Sequence, residues 1–169
     1  MEHTSAFWIE KLCLQKHPEG GYYKETYRSD ESISHLSLPS RFKEDRCIST
    51  AIYFLLENDN FSAFHRIKSD EIWHFYKGSS LTLYIITEDG CLTKLQLGDN
   101  PLNGEDFQIT VPRNSWFAAH VNAKKSFTLL GCTVAPGFDF NDFELANCED
   151  LCKEYPHYES IIKEFTLHQ

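Results

Sequence analysis

No stretch of this 169-residue chain is apolar for long enough to span a bilayer. The opening stretch also lacks the basic start and long apolar run of a secretory signal, because Glu10 interrupts it. Basic patches are missing as well. Lysines and arginines are scattered, and a formal net charge of -9 would repel a phosphate backbone or an anionic membrane face. Nucleic acid and membrane are therefore not expected partners. The six cysteines contain no Cys-x-x-Cys pair and sit singly in ordinary segments, the pattern of reduced thiols in a cytoplasmic protein. Cys148 and Cys152 are spaced to share one helical face, but no second ligand pair accompanies them. No Gly-x-Ser-x-Gly elbow is present, and Gly20-Gly21 has no further glycines at phosphate-binding spacing, so it reads as a turn. Without repeats, low-complexity segments or linkers, residues 1–169 are expected to form one domain.

Aromatic residues, by contrast, are plentiful: 13 phenylalanines, 8 tyrosines and 3 tryptophans supply the material of a packed interior. Thr4 followed by Ala6 to Leu14 predicts a capped amphipathic helix covering one end of the fold. After the turn His17-Pro-Glu-Gly-Gly21, residues 22–27 alternate as a strand, and Ser29 to Asp45 reads as a long polar arm. Eight short strands are then expected, at 48–56, 63–67, 71–76, 81–86, 92–97, 107–111, 116–119 and 127–134, separated by Asn-, Asp-, Gly- and Pro-rich turns. Closely spaced strands of this kind indicate a mainly β barrel or sandwich. Beyond Ala135-Pro-Gly137 the composition turns acidic, with Asn141 or Asp142 placed to cap a short helix and Pro156 to open a last one.

The segment from His65 through Glu71 to Gly78 sets an imidazole and a carboxylate on adjacent strands joined by a short turn. Strand parity directs Glu71, Trp73 and Phe75 to one face and Ile72, His74 and Tyr76 to the other. A histidine titrating near neutrality beside a carboxylate is the raw material of acid/base chemistry or of a metal site. His65, Glu71 and Gly78 resemble the first cupin motif, although the motif's second histidine falls on Ile67. Pro112-Arg-Asn114-Ser-Trp-Phe117 is similar to the second motif, with Asn114 in place of its glycine and Phe117 in place of its histidine. His17-Pro-Glu-Gly-Gly21, Glu25-Thr-Tyr-Arg-Ser29, Ser69-Asp-Glu-Ile-Trp73 and Pro136-Gly-Phe138 also resemble a branch of small single-domain cupins. That resemblance implies a jelly-roll β-barrel, usually a homodimer, related in shape to deoxysugar-nucleotide epimerases.

The leading expectation is a small-molecule-binding cupin of isomerase or epimerase type, with His65 and Glu71 as its catalytic pair and no cofactor required. Trp73 and Trp116 are candidate flat walls for the substrate, and Tyr23 and Glu25, with Tyr27 on the same strand face, are candidate polar groups at the pocket mouth or a dimer contact. Arg28, of opposite parity, reads as a surface charge, with an anion clamp as the alternative. Two alternatives stay open. One is a non-catalytic ligand-binding cupin; the other is a divalent transition-metal enzyme holding its ion through His65, Glu71 and a further histidine, His74 or His120. The carboxylates of Asp142 and Glu144 are read as helix-capping groups outside the catalytic set.

Overall fold

The computed structural model describes residues 3–167. In chain order the elements are α1 (Ser5–Leu12), β1 (Gln15–Lys16), β2 (Tyr22–Arg28), β3 (Ser32–Ile33), β4 (Arg46–Cys47), β5 (Thr50–Glu57), β6 (Phe61–Arg66) and β7 (Asp70–Gly78). They continue with β8 (Leu81–Ile86), β9 (Leu92–Leu97), β10 (Gln108–Val111), β11 (Trp116–Val121), β12 (Phe127–Ala135), β13 (Glu144–Leu145), α2 (Cys148–Glu154) and α3 (Glu159–Glu164). The expected strands from residue 48 onward are all present, with ends shifted by a residue or two. Thr4 caps α1 as its position suggested, accepting from the Phe7 backbone N–H at 3.3 Å. The caps at the other end differ from expectation: Asp139 caps the short turn at 140–142, and Asn147 caps α2.

Two antiparallel sheets face each other, one ordered β1-β2-β5-β12-β7-β10 and the other β13-β6-β11-β8-β9. They form a jelly-roll sandwich rather than a continuously hydrogen-bonded barrel. Their inner faces share a core of Phe54, Leu56, Trp73, Leu83, Phe117 and Leu130 with neighbouring side chains. The helix α1 lies on the outer face of the six-stranded sheet, where Trp8, Ile9 and Leu12 meet Leu55 and Leu129. The two C-terminal helices cover the outer face of the other sheet through Leu151, Ile162 and Phe165.

The segment expected as a long polar arm is anchored. Phe42 is buried, and Arg46 makes two bonds to the buried Asp142 carboxylate, at 2.7 and 2.8 Å, which Lys68 joins at 2.9 Å. Asp142 therefore ties the 136–143 segment to β4 and to the β6–β7 turn instead of capping a helix, while Glu144 pairs with Arg66 at the surface.

A β-bulge reshapes β2. Tyr23 pairs with Phe54 and Glu25 with Ile52, but the register shifts at Thr26, so Tyr27 pairs with Ala51 and Arg28 with Thr50. One extra residue inverts side-chain parity. Arg28 thus joins Tyr23 and Glu25 on the inner side, and Tyr27 turns out to solvent, contrary to the parity expected for an unbroken strand.

Candidate active site

Between the sheets, toward the end where β2, β5 and the 136–143 segment converge, lies a cavity of about 450 Å³. Its floor carries His17, Glu19, His65 and Glu71, with Ile67 and Cys132 alongside; Tyr23, Glu25 and Arg28 line it farther out.

The turn between β1 and β2 delivers two of these groups. Gly20 has φ +113°, and a Cβ there would meet the Phe61 carbonyl oxygen at 2.1 Å, so only glycine lets the chain press against the start of β6. The Ala63 N–H donates to the Glu19 carbonyl at 2.8 Å and the Ser62 hydroxyl to Glu19 Oε1 at 2.7 Å. Glu19 is thereby held inside, 5% exposed. Its Oε2 lies 3.0 Å from His65 Nε2 and 3.2 Å from His17 Nδ1.

The expected pairing of His65 with Glu71 is corrected by this geometry: the partner of His65 is Glu19. Glu71 sits on the opposite sheet, and the turn carrying Glu19 enters between them. Hydrogen-bond roles then constrain the protons. The Ala63 carbonyl can only accept, so His65 Nδ1, 2.7 Å away, carries a proton. His65 Nε2 faces a Glu19 carboxylate oxygen, and burial holds the His65 pKa below its ordinary value although Glu19 and the Ala63 carbonyl favour the charged form. Burial opposes the charge on Glu19, yet His65, His17 and Ser62 together hold its pKa below the ordinary carboxylate value. Burial also opposes a charged His17, but the Glu19 carboxylate outweighs it and holds the His17 pKa above the ordinary value.

Glu71 behaves oppositely. Burial, reinforced by the charge on Glu19, pushes its pKa up to about 7, while the Cys132 thiol, His17 and the Trp73 indole favour its ionised form too weakly to compensate. Two neighbouring carboxyls driven apart in this way, one held ionised and one titrating near neutrality, are the arrangement from which acid and base roles arise.

Trp73 and Trp116 do not line the cavity. Trp73 is 1% exposed between Phe54 and Phe117, within the core between the sheets. Trp116 points to the other face of its sheet, under the C-terminal helices, with the Arg66 guanidinium 4.4 Å from its ring. Tyr23 and Glu25 do line it, and so does Arg28, whose guanidinium grips Glu25 through bonds of 3.0 and 2.7 Å. His17 and Glu19 were not among the expected site residues; the signal available was the His-Pro-Glu-Gly-Gly string, whose paired glycines announce a close backbone approach.

The metal commonly associated with this fold finds no matching donor set. Ile67 and Phe117 occupy the positions where two histidine ligands would stand, and the Phe117 ring packs 4.0 Å from that of His65. Both His65 nitrogens are engaged, with Ala63 and Glu19. His74 is on the opposite face of β7, bonded to Thr133, and His120 clusters with Tyr84 and Phe165 on the outer side of its sheet, so neither completes a site with His65 and Glu71. Among the described residues no group of three or more His, Cys, Asp or Glu side chains is arranged to hold a metal ion.

Comparison with known proteins agrees with the architecture. The family model described as Cupin superfamily (DUF985) matches residues 6–146. The chain belongs to the cupin superfamily. Within it, the Shewanella oneidensis protein SO0799 has a crystal structure that is 38% identical and superposes with a TM-score of 0.88, covering 99% of this chain and 100% of that one. A hypothetical protein from Leishmania major is 32% identical with a TM-score of 0.90, covering 98% and 100%. The uncharacterized protein YML079W of Saccharomyces cerevisiae is 31% identical over 155 residues, 86% of this chain and 76% of the relative. These cupins bring a fold and no activity. No helix among the described residues is long and apolar enough to cross a membrane.

Proposed function

We propose that this cupin, one domain over residues 1–169, binds a sugar-like or carbonyl compound and moves a proton on it, as isomerases and epimerases do. The observation that supports this reading is Glu71, 8% exposed on the cavity floor with a pKa pushed up to about 7. A general base works best when its pKa lies near the working pH, because it is then both available and strong. Glu71 takes the proton from the carbon beside the carbonyl. His17, whose pKa Glu19 holds above its ordinary value, faces the oxygen on which negative charge develops. The Glu19 and His65 pair holds the turn and His17 in place; the catalytic role expected for His65 thus becomes a positioning one. Tyr23 and Glu25 contact the substrate farther out. Trp73 shapes the floor from behind by packing against Phe54 and Phe117, and Trp116 has no part in binding. Assembly as a homodimer and residence in the cytoplasm belong to the same reading, supported by the outward-facing Tyr27 and Tyr76 and by the absence of disulfides among the described cysteines.

The test is exchange of carbon-bound hydrogen with D₂O, followed by NMR over a panel of small aldoses, ketoses and α-hydroxy carbonyl compounds. At least one is expected to exchange at a rate that rises with pH through a midpoint near 7. Glu71→Gln should slow exchange about 100-fold or more while ligand still binds. Binding without exchange in the wild-type chain would make this a binding module instead.

A further inference from the structure

The mouth of the cavity carries a feature that proton transfer leaves unused. Phe138, Phe140 and Phe143 stand on one short turn with ring centroids 5.0, 6.0 and 6.3 Å apart. His17 stacks on Phe140 at 6.0 Å and meets Phe143 edge-on at 5.8 Å. All three phenyl rings line the cavity, none belongs to the three packed cores, and Phe140 is 50% exposed. Clustered aromatic surface left open on a folded chain marks a contact surface for something else.

The turn that carries them is held firmly. The Phe138 N–H donates to Thr50 Oγ1 at 3.0 Å, the Arg28 guanidinium donates to the Phe138 carbonyl at 3.2 Å, and the Ser69 hydroxyl donates to the Pro136 carbonyl at 2.8 Å. The rings are therefore preorganised rather than free to collapse onto one another.

Charge in the cavity selects the kind of ligand. Its described lining contains the acids Glu19, Glu25, Glu71 and Asp139 against one guanidinium, that of Arg28, and the two imidazoles. Arg28 is already neutralised by Glu25, and the imidazoles face Glu19. An anion would meet the Asp139 carboxylate at the mouth, where the one guanidinium is already taken by Glu25. A cation would meet the Asp139 carboxylate and a cluster of three phenyl rings, one of them half-exposed, the surroundings that bind alkylated ammonium groups.

We propose that the cavity takes a small organic cation, an alkylammonium-bearing carbonyl or sugar compound, with its ammonium among Phe138, Phe140 and Phe143 beside Asp139 and its reacting carbon toward Glu71. This rests on the cavity being the ligand site. Calorimetric titration of the full chain with choline, its neutral isostere 3,3-dimethylbutan-1-ol and the anion 3,3-dimethylbutanoate tests it. Choline is expected to bind about tenfold more tightly than the neutral alcohol, and the anion more weakly than either. Phe140→Ala, which truncates a half-exposed ring, should shrink that preference to about threefold or less. Equal affinity for choline and the alcohol, or tighter binding of the anion, overturns the cation and leaves the cavity as a ligand site. Failure of all three to bind overturns both.

Discussion

Glu71→Gln is expected to make the protein more stable at pH 8 and to leave its stability near pH 4 almost unchanged. Burial raises the Glu71 pKa from its ordinary 4.5 to about 7, so the folded chain holds this proton where the unfolded chain releases it. The group therefore favours folding fully below about pH 4.5, and its contribution is lost as the pH rises through 7. The span corresponds to about 3 kcal/mol, and the group is buried deeply enough that solvent screening removes little of it. Glutamine has the shape of the protonated acid and no charge to bury. The difference in unfolding free energy between variant and wild type, measured by urea titration from pH 4 to 8, should grow from near zero to about 3 kcal/mol. A flat difference would mean that Glu71 is ionised in the folded chain at ordinary acid pH. This stability penalty is what a carboxyl poised near neutrality costs, a common trade between function and folding.

Asp142→Ala is expected to lose about 3 kcal/mol of stability, at the low end for a broken buried pair because Lys68 remains half-open to water. The carboxylate accepts two bonds from Arg46, and both side chains are nearly inaccessible, 3% and 4% exposed. Alanine leaves a buried guanidinium with only the exposed Glu44 carboxylate 3.9 Å away, which costs far more than the pair itself contributes. The double variant Arg46→Leu with Asp142→Leu should therefore recover much of the loss. Because Asp142 anchors the 136–143 turn, the single variant should also weaken ligand binding at the cavity mouth. Urea denaturation with an unchanged slope provides the check; a loss below about 1 kcal/mol would place the pair among surface bridges of little consequence.

The strands were legible in the sequence because their turns are chemically explicit. Asn58-Asp-Asn60, Glu88-Asp-Gly90 and Pro112-Arg-Asn114 each fall between observed strands, and Asn114 takes the left-handed φ of 59° that its glycine-like position requires. Parity along β7 was legible too: Glu71 and Trp73 face inward and His74 outward. Parity along β2 was not, because the bulge at Thr26 leaves no compositional trace and a single inserted residue exchanged the roles of Tyr27 and Arg28. The partner of His65 was also hidden. A carboxylate six residues away on the next strand is the natural choice when only local spacing is visible. The fold instead brings in Glu19 from a turn 46 positions upstream, which long-range packing against Phe61 and Ala63 decides. Trp73 and Trp116 were misplaced for a related reason. Facing inward in a two-sheet fold leads either to core or to cavity, and the aromatic neighbours Phe54 and Phe117 enclose Trp73 completely.

The proposed chemistry depends on one proton, so the most direct measurement is the titration of the Glu71 side-chain carboxyl by ¹³C NMR, assigned by its disappearance in Glu71→Gln. A midpoint near pH 7 is expected, with the Glu19 signal already ionised below its ordinary range. A Glu71 midpoint near its ordinary 4.5 would contradict the proposal, leaving a cavity with no group poised to move a proton at neutral pH.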